Sequence, residues 1–293
     1  MSKVFSLKLA KQSAEALLKE DGLLALPVDP FAIAASREIV VEGKPEAVDG
    51  VSGMLLRHGN DFGIVYATHI KSKGFQRFSV AHELGHYFLP GHVDQVIKGG
   101  IHVSRAGFVT NDPFELEADH FAAGLLMPEQ PFRKEVDRYE PGLIAIEAIA
   151  SHCVTSLTAA AIRYAEVGRM ASAIVMSTGG IVDYCFVSDM MKSLPRLQYL
   201  RKGSRLPIGS VSSALAADPT LVAAGQRFRD DVDVRDWFGG ETKATVVEEA
   251  VGLGSYGKVL TVLTSSKIGQ DLEPDDDDEE QELIESWTPR FNK

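Results

Sequence analysis

The chain has 293 residues, 45% of them hydrophobic and 24% charged, enough for one large globular domain or two ordinary ones. Its net charge of −11 is concentrated at one end: residues 271–293 hold ten acidic and two basic side chains, a net of −8, leaving −3 for the other 270 residues. The body therefore lacks the basic surface that direct nucleic-acid binding needs, and no apolar run approaches the roughly 18 residues of a membrane span.

The opening stretch, MSKVFSLKLAKQSAEALLKEDG, predicts an amphipathic helix with Leu7, Ala10, Ala14, Leu17 and Leu18 at helical spacing. It lacks a signal peptide's apolar centre and cleavage site. Two widely separated cysteines, Cys153 and Cys185, read as buried thiols in a reducing cytoplasm rather than as a disulfide. Asp29-Pro30 fits an N-cap followed by an N1 proline, opening a short helix through Ala35. Strands are expected at 38–41, 54–57 and 64–67, the last two joined by a hairpin at His58-Gly59-Asn60-Asp61. A helix around 76–89, a loop rich in Gly and Ser, and a helix around 113–127 follow. Shorter helices then run to Val167.

After Gly168 the pattern becomes strand, tight turn, strand over 173–187, with a further strand at 258–263. The expected organisation is α+β throughout: a mainly helical first domain with a small sheet over 1–168, and a smaller α+β domain over 169–268. Residues 269–293 read as a low-complexity acidic linker ending in a docking peptide around Trp287 and Phe291.

Chemistry concentrates at His82-Glu83-Leu84-Gly85-His86. Two histidines four apart lie one turn above each other on a helix face and can reach one metal ion. Glu83 projects about 100° away from His82, placed to reach water on the ion's open position and to act as general base. Phe78, Val80, Ala81, Leu84, Tyr87 and Leu89 make the helix apolar nearly all round, so these histidines are buried and need partners.

A catalytic zinc site takes a third protein ligand, and two candidates stand open. His92 lies ten residues after His82, the metzincin spacing, but Leu89-Pro90-Gly91 displaces the turn glycine by two positions; His92 otherwise reads as a surface or supporting histidine. Glu115 opens a helix that Asp112 caps and Pro113 begins, with Asp119 on the same face. In that arrangement Glu115 can bind zinc while Asp119 accepts the free N–H of a ligand histidine. Alternatively, Glu115 is a capping-box carboxylate and Asp119 a solvent-facing acid. Glu117, about 200° around the helix, cannot share the role of Glu115. Tyr87, His102, Arg105 and His120 are unranked donors for stabilising an oxyanion.

HELGH followed about thirty residues later by ELEADHFAAGLLMP resembles the ImmA/IrrE metallopeptidase family. The resemblance implies a zincin-like fold for 1–168, zinc held by His82, His86 and Glu115, Glu83 as base, and Asp119 beside the metal. It implies a GAF-like, sensor-like fold for the second domain, with a small-molecule or protein signal acting there. It also implies a helix-turn-helix repressor as protein substrate, whose cleavage frees stress-response or mobile-element genes. The helix pair over 143–165 could pass for a DNA-reading helix-turn-helix, but SLTAAAIRYAEV carries one arginine and no cluster of base-reading side chains. A different class of function, a zinc-stabilised regulator without catalysis, stands beside the peptidase reading; its weakness is that a structural metal has no use for Glu83.

Overall fold

The computed structural model describes residues 3–45, 50–105 and 112–268. The acidic linker and terminal peptide read at 269–293 lie outside the described residues, as does Asn111. The chain is α+β and divides into two compact units. The first holds residues up to Glu135 together with Ile149–Ala159; the second holds Val136–Ala148 and the described chain from Ala160 onward. The segment over 143–167 is thus shared between them.

In the first unit, α1 (Lys3–Glu20) buries Leu7, Ala10, Ala14 and Leu18, the stripe its spacing predicts. Asp29 caps α2 (Pro30–Ser36), accepting from the Phe31 N–H with proline at the first helical position. Then come β1 (Val40–Lys44), β2 (Val51–His58) and β3 (Asp61–Ala67). β2 and β3 form the expected hairpin, closing at the His58–Asp61 pair. α3 (Lys73–Phe88) starts at an Ser72 cap that accepts from the Phe75 N–H, and every residue from Ser79 to His86 is buried.

The stretch expected to be a loop contains a short helix, α4 (His92–Val96), and a strand, β4 (Ile101–Arg105). β4 pairs antiparallel with β2 and completes a four-stranded sheet in the order β1-β3-β2-β4, with β1 parallel to β3. α5 (Pro113–Leu126) opens on the Asp112 cap and Pro113, as its sequence predicts, and α6 (Glu129–Val136) follows.

Glycines set how closely α5 is packed. A Cβ on Gly85 would stand 3.0 Å from the Ala118 Cα, and one on Gly124 would stand 2.9 Å from the Lys11 Cα. α3 and α1 therefore approach α5 backbone to backbone.

α7 (Leu143–Cys153) and α8 (Leu157–Val167) lead into the second unit. On α8, Ala160, Ala161, Arg163, Tyr164, Ala165 and Val167 are buried, which leaves no face to enter a DNA groove. Its arginine is paired with Glu166 at 3.2 Å. Among the described residues no single helix is long and apolar enough to cross a membrane.

The second unit carries β5 (Ala171–Thr178), β6 (Ile181–Val187), α9 (Asp189–Lys192), α10 (Val211–Ala216) and α11 (Pro219–Ala223). β7 (Arg227–Asp233), α12 (Val234–Phe238), β8 (Thr245–Gly252) and β9 (Lys258–Ser265) complete it. Its strands form an antiparallel sheet in the order β6-β5-β9-β8-β7. Trp237 and Phe238 of α12 pack with Val175, Val246 and Leu263 in its main core. The buried Glu248 carboxylate is satisfied by the Ser212 N–H at 2.8 Å, the Ser212 hydroxyl at 2.6 Å and the Trp237 Nε1–H at 3.2 Å, tying α10 and α12 to β8.

Candidate metal centre

The site is built from α3, α5 and β4, all in the first unit. His82 and His86, one turn apart, bring their Nε2 atoms to 3.1 Å. Glu115, in the first turn of α5, sets Oε2 at 3.3 Å from His82 Nε2 and Oε1 at 3.3 Å from His86 Nε2. Its carboxylate faces both histidines.

A fourth group, His102 of β4, places Nε2 3.0 Å from Glu115 Oε1. One ligand atom from each of His82, His86, His102 and Glu115 lies within 4.8 Å of the others, so the four can hold a metal ion. Three imidazole nitrogens and a carboxylate oxygen are donors that suit zinc and other divalent transition ions. The outer ring nitrogens are engaged elsewhere. His82 Nδ1 meets Asp119 Oδ1 at 2.8 Å, and His86 Nδ1 meets His92 Nδ1 at 3.1 Å. Both Nε2 atoms are thereby left to face the cluster.

The electrostatics are those of a cation site. Burial works against a charge on His82, but hydrogen bonds to Asp119 and Glu115 override it and hold its pKa well above the ordinary value. Burial pushes His86 down to about 3, so it is a neutral donor. Burial also opposes ionisation of Glu115, yet hydrogen bonds from His102, His82 and His86 hold it far below the usual carboxylate range.

Glu83 follows His82 on α3, close to His102 and Glu115 as well. It is fully buried, and neither carboxylate oxygen makes a well-formed hydrogen bond among the described residues, the Ser104 hydroxyl being the donor beside it. Burial raises its pKa, which the neighbouring His82 charge partly offsets. Room for it comes from Gly53 on β2, where a Cβ would stand 2.5 Å from Glu83 Oε1. An orphaned buried carboxylate costs several kcal/mol unless something completes its hydrogen bonding, so the pocket fits a metal-and-water arrangement.

The structure places two residues that the sequence left open. His92 is 1% exposed, supports His86 and places its Nε2 3.0 Å from Glu117 Oε2. It lies behind a member of the cluster rather than in it, because the Pro90-Gly91 turn brings it back beneath α3. Of the four unranked donors, His102 stands in the cluster, whereas the Tyr87 ring packs edge-on against Phe62 and Phe88.

The sequence signal for His102 was inverted. On β4 the apolar Ile101 and Val103 are exposed while Ser104 is buried and His102 half-buried, so hydrophobic alternation points the wrong way.

A mainly helical unit with a small mixed sheet and a His/Glu cluster spread over α3, α5 and β4 is consistent with a zincin-like domain. Comparison with known proteins points to a particular family: residues 47–163 match the IrrE N-terminal-like domain, peptidase family M78. The match takes in α3, β4 and α5. Among solved structures, a Mycobacterium tuberculosis transcriptional regulator superposes with a TM-score of 0.55 over 90% of this chain and 82% of that one, at 13% identity. That likeness is one of fold. No curated protein matches the chain.

Proposed function

We propose that this chain is a zinc-dependent endopeptidase of the cytoplasm. In this reading His82, His86 and Glu115 hold the ion, and Asp119 fixes the His82 ring. A bound zinc ion would supply Lewis acidity, lowering the pKa of water at its open position towards ~7 and polarising a carbonyl. Glu83 takes a proton from the attacking water and returns it to the leaving amine, its buried carboxyl tuned upward for that exchange. β4 stands at the sheet edge, where an extended peptide can add as a further strand beside His102.

The observation that carries the proposal is Glu83: a fully buried carboxylate without a well-formed hydrogen bond, beside a metal-competent cluster, is costly and serves no structural metal. From the family resemblance and the regulator neighbour, the substrate class is a helix-turn-helix repressor, cleaved to free stress-response or mobile-element genes. The second unit, an antiparallel sheet flanked by short helices, is read as a GAF-like sensor of a small molecule or protein.

One observation favours a second reading, a zinc-stabilised regulator without catalysis: His102 brings the donors to four, and closed four-ligand sites are structural. A single panel separates the two. Purified wild type, Glu83→Gln and His102→Ala are assayed for metal content and for cleavage of repressors encoded nearby. On the peptidase reading Glu83→Gln keeps about one zinc per chain and loses cleavage by at least ~100-fold, and His102→Ala keeps its zinc. Undiminished cleavage by Glu83→Gln would remove the mechanism. Loss of zinc and fold in His102→Ala, with no cleavage by wild type, would leave the structural metal.

A further inference from the structure

β7 ends the strand order of the second unit's sheet, and among the described residues no strand pairs with its far edge. It reads Arg227-Phe228-Arg229-Asp230-Asp231-Val232-Asp233, with Arg229, Asp230 and Asp231 exposed. The ladder fixes which residues aim outward. At the two ends of the strand, the Gln226 carbonyl accepts from the Gly252 N–H at 3.0 Å and the Val234 N–H donates to the Ala244 carbonyl at 2.8 Å. Even-numbered residues therefore turn their backbone groups towards β8, while Arg227, Arg229, Asp231 and Asp233 turn theirs to the open edge. The Asp231 N–H agrees: it donates to the Asp230 carboxylate of its own strand, at 2.8 Å.

We propose that this edge pairs with the β7 of a second copy of the chain, antiparallel about a two-fold axis at Asp230, joining two five-stranded sheets into one. Nothing in this pairing depends on the metal centre. An open edge takes another strand unless its side chains forbid it, and edge charges usually do. Here their order does the reverse. Arginines fill the first half of β7 and aspartates the second, so an antiparallel copy sets unlike charges face to face. Arg229 meets Asp231 of the second copy and Arg227 meets Asp233, each pair formed twice by the symmetry. All four are outward residues, as backbone-bonded pairs across the edge must be. They also share one sheet face, so the charges form a single row while Phe228 meets Val232 on the other face.

Neighbouring registers are poorer. Only shifts that keep outward residues opposite one another preserve the backbone bonds. Centring the axis on Arg229 sets that arginine against itself, centring it on Asp231 sets two aspartates together, and each leaves one kind of Arg–Asp pair. The register at Asp230 has a single cost, the approach of that carboxylate to its own copy. Arg229 and Asp231, the inner pair, have no ion-pair partner among the described residues. The outer pair joins a longer row, since Arg227 holds Glu147 at 2.6 Å and Asp233 holds Arg235 at 2.7 Å.

The test is sedimentation equilibrium on the full chain over a series of concentrations. Wild type should be a reversible dimer that salt weakens. Arg229→Asp and Asp231→Arg each set like charges opposite one another twice, and each should weaken association at least ~10-fold. Mixed in equal amounts, the two variants should associate as wild type does, because each supplies the charge that the other lacks. Asp230→Asn removes the repulsion at the axis and should tighten the dimer ~3-fold. These side chains are exposed, so the circular dichroism of every variant should overlay that of wild type. A wild type that stays monomeric throughout would overturn the proposal. So would a dimer indifferent to Arg229→Asp, or a mixture of the two charge variants that fails to associate.

Discussion

At the scale of single residues, the site pairs a costly group with the space made for it. Glu83 lies where only a glycine at position 53 leaves room for its carboxylate. Gly53→Ala should push Glu83 aside through its flexible end while His82, His86 and Glu115 stay in place. The expected outcome is a drop in kcat of ~10- to 100-fold with zinc affinity unchanged, read by steady-state kinetics beside chelator competition. A proportionate loss of zinc would mean that the alanine disturbs α3 itself. This space was illegible in the sequence, since nothing in Val51-Ser52-Gly53 says which side chain will lie over it. His82, Glu83 and His86 were legible because their spacing alone sets their directions on a helix. Glu115 was ambiguous, since a third-position glutamate after an Asp cap serves a capping box equally well, and the three histidines around it are what the sequence could not show.

At the scale of elements, the centre depends on the separation of α3 and α5. Gly85 and Ala118 form the closest approach, with the histidines on one side of the seam and Glu115 and Asp119 on the other. Gly85→Val should force the helices apart and take Glu115 off the histidines. We expect zinc affinity to fall at least ~10-fold and stability by about 1–3 kcal/mol, measured by chelator competition and urea unfolding. Undiminished zinc binding would show that the close approach is not what assembles the site. The caps Asp29, Ser72 and Asp112 sit where helices begin, and Asp29-Pro30 and Asp112-Pro113 could be read directly. β4 and β7 could not. β4 turns its polar residues inward, and β7 is an edge strand, Arg-Phe-Arg-Asp-Asp-Val-Asp, whose mostly exposed charges read as solvated loop.

For the molecule as a whole, the two units carry different titrating groups. In the second, burial pushes the Cys185 thiol up to about 12 and raises the neighbouring Tyr184 phenol as well, both on β6. Raised acids hold their protons in the folded state while the unfolded chain gives them up. Stability from Cys185 is therefore full below its ordinary value of 9.0 and is lost as pH rises from there towards 12. The loss should approach about 4 kcal/mol. Urea unfolding followed by circular dichroism at pH 8 and pH 11 checks this, and Cys185→Ala should flatten the dependence. A pH-independent midpoint would mean that the thiol is reached by water in the folded chain.

α5 carries Glu115, Glu117 and Asp119 at alternate positions, each engaged with a histidine anchored elsewhere in the first unit. Each residue added to or removed from a helix turns everything beyond it by about 100°. One insertion inside α3 or α5 would therefore scramble several contacts together, whereas extra residues between α4 and β4 would only lengthen a connection. Length variation in homologues should gather in those connections and stop sharply at the two helices, a rule of phase that constrains this protein's history as firmly as the identity of any one histidine.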